Sequence, residues 1–129
     1  MFTDELSILL IYGLVTGLLL GAKVTGMLVT VDMGYLLSSR DENRTLEGML
    51  GRADRALNNS ITALALIAPP ILVIALRDQS SANSVLAAQV FLAARVIYIP
   101  AYVFGIRGLR TLVWTAGFFA TLILYFLAL

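Results

Sequence analysis

Long apolar runs separated by short polar clusters set the pattern of this chain. Four runs reach the roughly 20 residues that a helix needs to cross the hydrocarbon of a bilayer: residues 6–31, 56–76, 79–106 and 111–129. Lys23 interrupts the first and Arg95 the third, while the second carries no charge. The breaks are polar: Ser38-Ser39-Arg40-Asp41-Glu42-Asn43-Arg44, then Arg77-Asp78-Gln79-Ser80-Ser81, then the stretch from Gly105 to Arg110. This pattern predicts an all-α membrane protein, a bundle of four transmembrane helices forming one domain over residues 1–129. Gly13, Gly17 and Gly21 recur every four residues, a spacing that lets helix backbones approach closely, and are read as a packing face. Pro69-Pro70 lies inside the second run and is expected to kink it, since neither residue donates a backbone hydrogen bond.

Composition agrees with lipid as the solvent. Of the 129 residues 60% are hydrophobic and 13% charged, against about 25% charged in soluble domains. The chain has no Cys and no His, which excludes disulfides, thiolate or imidazole metal sites and a cysteine nucleophile. No metal site and no nucleic-acid partner are expected. The net charge of +1 matters less than its placement. Arg40, Arg44, Arg52, Arg55, Arg107 and Arg110 flank the first and third loops, whereas Arg77 stands alone at the second. The positive-inside rule then puts those two loops in the cytoplasm and both termini on the opposite side. The N-terminal Met1-Phe2-Thr3-Asp4-Glu5 is acidic where a secretory signal is basic, so the first run is read as a retained helix, with signal cleavage as the alternative.

Polar residues within the spans are costly and call for a partner or a role. Arg52, Arg55, Asn59 and Thr62 fall at i, i+3, i+7 and i+10, one stripe of the second helix. Arg95, Tyr98 and Tyr102 fall at i, i+3 and i+7 on the third, and Arg110 opens the fourth. If the stripes face each other they form a basic, hydroxyl-rich cleft suited to a small anion. A second account stands beside this one. Arg52 and Arg55 snorkel to headgroups, Asp54 neutralises one of them, and Tyr98 and Tyr102 join an interfacial aromatic belt. For Arg95 the structural account is an ion pair with Asp32 or bonds to Asn59. Lys23 is read as pairing with an acid on another helix or subunit.

The segment Arg52-Ala53-Asp54-Arg55-Ala56-Leu57-Asn58-Asn59 resembles the second-helix signature of the MAPEG family (membrane-associated proteins in eicosanoid and glutathione metabolism), R-x-x-R-A-x-x-N-x-x-E. The run from Ala94 to Tyr102, with Gly105 and Arg110-Thr111-Leu112-Val113-Trp114, is similar to the third-helix and loop pattern of its bacterial members. The resemblance implies a homotrimer in a bacterial inner membrane, with glutathione bound between subunits near the cytoplasmic face. Arg55 and Asn59 would hold the polar groups of glutathione, and Tyr98 would line the site with Arg95 nearby. Tyr102 and Arg110 are the implied catalytic residues, Arg110 favouring the thiolate because a nearby cation lowers a thiol pKa. A lipophilic small molecule would arrive through the bilayer.

The sequence departs from the signature at Thr62, where the family places the Glu that meets the glutathione amino group. Leu57 replaces a common His and Ala65 a common Pro, and the inner end of the first helix lacks an Arg. Two functional readings follow. One is a glutathione-dependent transferase or peroxidase acting on lipophilic electrophiles. The other is a catalytically silent scaffold or accessory subunit of a larger membrane complex. A small transporter is a weaker third reading, since the apolar runs hold no Glu to couple protons.

Overall fold

The computed structural model of the chain describes residues 3–30, 37 and 48–129. Four long helices lie within them: α1 Glu5–Thr30, α2 Gly48–Leu76, α3 Ala82–Val103 and α4 Arg107–Ala128. Each is long and apolar enough to cross a membrane, so the chain is an all-α, four-helix membrane bundle. α3 and α4 form the most extensive pair and α1 packs mainly on α2, with α2 also touching α3 and α4. Large apolar side chains cover the outside: Leu10 is 75% exposed, Val29 80% and Phe126 77%. In water such a surface is an aggregation site; against lipid tails it is the expected coat.

The helix boundaries differ from the apolar runs for local reasons. α2 starts at Gly48 rather than at residue 56, because contacts to other helices hold its polar first turns. Arg52 donates from Nε to the Val103 carbonyl at 2.7 Å, satisfying an orphan acceptor at the C-terminus of α3. α3 starts at Ala82 rather than residue 79, because Ser81 and Ser84 form a capping box there. Ahead of it Asp78 turns the chain at φ 52°, a left-handed conformation that Asp tolerates better than most side chains. Gly105, at φ +74°, makes the turn into α4, and the Ile106 amide donates back to Ala101 at 2.8 Å. α2 continues as helix through Pro69 and Pro70.

The bundle has two zones. At the end holding the α2–α3 turn, a dry core gathers Ile8, Tyr12, Ile67, Ile71, Ile74, Phe91 and Leu124. Polar ties close that end. Asp4 caps α1 by accepting the Leu6 and Ser7 amides, and the Ser7 hydroxyl and amide hold its carboxyl below the usual range. Glu5, only 5% exposed, accepts from the hydroxyls of Ser80 and Ser84, joining the starts of α1 and α3. Arg77 donates to the Ala128 carbonyl at 3.2 Å. Toward the other end the interior turns polar.

Two expectations about packing need correction. A Cβ built on Gly13, Gly17 or Gly21 meets nothing within 4 Å, so among the described residues no helix packs closely against that face. Gly26 is the glycine at a close approach: a Cβ there lies 2.9 Å from Leu50 Cδ1 on α2. Asp54 pairs with Lys23 Nζ at 2.5 Å rather than with Arg52 or Arg55. Two residues from Arg52 and one from Arg55, it leaves their stripe and meets α1. Lys23 thus finds its acid on another helix, and Asp32 lies outside the described residues.

Candidate functional site

The stripes on α2 and α3 face each other. Arg55 donates from Nε to the Tyr102 hydroxyl at 3.2 Å. Four residues on and one turn deeper, Asn59 Oδ1 accepts from Arg95 Nη2 at 2.7 Å. Arg95 is 2% exposed, its guanidinium carbon 4.3 Å from the Tyr98 ring centroid. Its Nε donates to the Tyr12 hydroxyl at 3.3 Å, which donates to the Ser60 carbonyl at 3.0 Å. Arg110 comes in from α4 with its guanidinium carbon 5.0 Å from the centre of the Tyr102 ring. The Tyr98 and Tyr102 rings, one turn apart, stand 5.6 Å apart.

These groups surround a pocket of about 280 Å³ lined by Asn59, Tyr98, Tyr102, Arg110, Thr111 and Trp114. Four of the seven expected site residues line it. Arg55 reaches it through Tyr102, and Arg95 through Asn59 and Tyr98. Thr62 does not line this pocket. Its hydroxyl donates to the Asn58 carbonyl of its own helix at 3.0 Å, and its side chain faces a second, apolar cavity of about 170 Å³ shared with Asn59, Arg95 and Trp114. Arg52 stays with the end of α3 and lines neither cavity.

Sequence reasoning missed three contributors: Thr111 and Trp114, which line the pocket, and Tyr12, which accepts from Arg95. Trp114 lines both cavities; lying four residues after Arg110, it shares that helix face, a signal available in the spacing. Tyr12 sits among apolar neighbours on α1 and gives no such signal. Chemically the pocket offers hydrogen-bond donors and two flanking cations, with aromatic walls. The Tyr102 oxygen already accepts from Arg55, which leaves its proton free to donate. The Asn59 carbonyl is taken by Arg95, which leaves the amide NH₂ to donate. Such a donor set is chemically suited to anionic or electron-rich groups, and among the described residues no three His, Cys, Asp or Glu side chains gather to hold a metal.

The family model described as MAPEG family matches residues 6–129, nearly the whole chain. Comparison with curated proteins and with solved structures gave no match.

Proposed function

Because the chain belongs to the MAPEG family, we propose that it is a glutathione-dependent membrane transferase or peroxidase acting on lipophilic electrophiles. The observation that carries this reading is Tyr102, its hydroxyl oxygen bonded to Arg55 and its ring beneath Arg110. A phenol so placed donates its proton into the pocket, beside a guanidinium that favours negative charge. The donor set fits glutathione. Arg55 and the Asn59 amide suit its carboxylates, and Tyr102 with Arg110 suits a thiolate. When bound, glutathione supplies the sulfur nucleophile that adds to an electrophilic carbon or reduces a peroxide. Arg110 stabilises the sulfur anion, and Tyr98 and Trp114 exclude water from it. In this proposal three copies assemble around the sites, and the termini lie on the non-cytoplasmic side of a bacterial inner membrane.

Calorimetric titration of the detergent-solubilised protein with glutathione tests the reading. Saturable binding at millimolar or tighter affinity is expected, and absence of binding at cellular glutathione concentrations refutes it. The second reading, a silent scaffold or accessory subunit, is favoured by Thr62, a neutral side chain turned onto its own helix where the family has an acid. Thr62→Glu restores a carboxylate for the glutathione ammonium and is expected to tighten binding several-fold. Unchanged binding would remove the second-helix correspondence and leave the scaffold reading ahead.

A further inference from the structure

The charges around the polar pocket are of one sign. Arg55 reaches it through Tyr102, Arg95 through Asn59 and Tyr98, and Arg110 lines it directly. Among the described residues the acidic side chains are Asp4, Glu5, Asp54 and Asp78. Asp4, Glu5 and Asp78 belong to the end of the bundle that holds the α2–α3 turn, where Glu5 accepts from Ser80 and Ser84. Asp54 precedes Arg55 in the chain but is tied to Lys23 on α1. None of the four lines the pocket.

A cation entering this pocket therefore has only neutral partners, and those are already engaged. Asn59 Oδ1 accepts from Arg95, and the Tyr102 oxygen accepts from Arg55. Aromatic faces also hold ammonium groups. Here Arg95 stands over Tyr98 and Arg110 over Tyr102. The Trp114 ring is stacked on Phe118 at 5.3 Å with the planes 5° apart. Thr111 donates to the Arg107 carbonyl at 3.3 Å and keeps an oxygen that can accept. One neutral hydroxyl does not offset three guanidiniums, whose repulsion of a like charge strengthens as water is excluded. The pocket favours carboxylates and a thiolate and disfavours an ammonium.

We propose that the pocket selects a thiol that carries carboxylates but no free ammonium, one that is amine-free or N-acylated. The inference rests on the reading of this pocket as a thiol site and concerns which thiol it prefers. Glutathione has two carboxylates and one ammonium. Arg55 and the Asn59 amide suit the carboxylates, Tyr102 and Arg110 suit the sulfur, and the ammonium is left among cations. Removing or acylating that amine keeps every favourable contact and deletes the unpaired charge. Leaving a charged group unpaired in a desolvated site costs about tenfold or more in affinity. Thr111 is the position from which the preference can be changed, because it lines the pocket and its side chain is exposed.

The test is calorimetric titration of the detergent-solubilised full chain with glutathione and with glutaryl-cysteinylglycine, which is glutathione with hydrogen in place of the ammonium. The amine-free thiol is expected to bind at least about tenfold tighter, and N-acetylglutathione to follow it. Thr111→Asp, which puts a carboxylate in the pocket, is expected to cancel or reverse the preference while particle size stays unchanged. If that variant does not fold, the three thiols on the native chain decide alone. Glutathione binding as tightly as the amine-free thiol, or tighter, overturns this inference and leaves the glutathione reading standing. Binding of the amine-free thiol alone supports the inference and refutes the glutathione reading. Binding of neither refutes both. A preference that persists unchanged in folded Thr111→Asp also overturns the inference, since charge would then not set it.

Discussion

Replacing Tyr12 with Phe isolates the polar network that joins α1 to the site. The ring is fully buried and meets Phe91 edge-on at 5.0 Å, a contact the Phe variant keeps. Only the hydroxyl goes, and with it the bond to the Ser60 carbonyl and the one received from Arg95. On the scale of soluble proteins, losing a bond from a charged donor costs about 1.5–3 kcal/mol and a neutral one about 0.5–1.5. Within membranes, interhelical bonds average about 0.6 kcal/mol and reach about 1.7, because separated helices find other partners in lipid. The Arg95 bond is long at 3.3 Å, so the membrane scale governs, and the expected loss is about 1–2 kcal/mol. Unfolding in mixed micelles titrated with dodecyl sulfate, followed by circular dichroism, measures it. A double-mutant cycle with Arg95→Met should return a coupling of at least about 0.5 kcal/mol. A Phe variant as stable as the native chain, or a cycle that is additive, would refute the network.

Three further outcomes are expected. Lys23→Met or Asp54→Asn should each cost about 1–2 kcal/mol, between the values for exposed and fully buried pairs, since the two side chains are 21% and 29% exposed; in the same unfolding assay, the reversed pair Lys23→Asp with Asp54→Lys should recover most of that loss. Gly17→Ala should be neutral or stabilise the fold by up to about 1 kcal/mol through helix propensity, whereas Gly26→Leu should cost about 1–3 kcal/mol by overpacking against Leu50; equal effects at both positions would contradict the assignment of the close approach. Arg110→Ala should lower any thiol-transfer rate at least about 100-fold, the scale for removing one charge-stabilising donor, and Arg110→Lys should restore little, because an ammonium lacks the planar face that lies over Tyr102; turnover at the native rate in Arg110→Ala would remove it from the mechanism.

The fold was legible because the lipid requirement writes itself as length and polarity, and the α2 and α3 stripes were legible because helical period puts Arg55 with Asn59 and Arg95 with Tyr102. The partners of single charges were partly so. Lys23 asked for an acid, but its pairing with Asp54 depends on how α1 lies against α2, which periodicity does not determine. The glycine repeat misled for the same reason. Spacing says that Gly13, Gly17 and Gly21 share a face and not what that face meets. Glu5 escaped notice because it stands just before the first apolar run, where an acid reads as a solvated end. Its burial follows from the Ser80 and Ser84 hydroxyls across the bundle.

The geometry also removes an opposition that the sequence leaves open. Arg55, Asn59, Arg95 and Tyr102 read either as structural residues or as site residues. In the bundle the same bonds do both. Arg55 occupies a lone pair of Tyr102 and Arg95 occupies the carbonyl of Asn59, so these two α2–α3 bonds consume acceptors and leave donors facing the pocket. The bonds that hold the helices in register therefore set the polarity of the cavity between them. A substitution such as Asn59→Asp would keep the acceptor for Arg95 but turn the remaining pocket-facing donor into an acceptor. The fold should survive it, while affinity for an anion in the pocket should fall. If Asn59→Asp unfolds the bundle, or leaves glutathione affinity unchanged, the direction of these bonds does not govern what the pocket accepts.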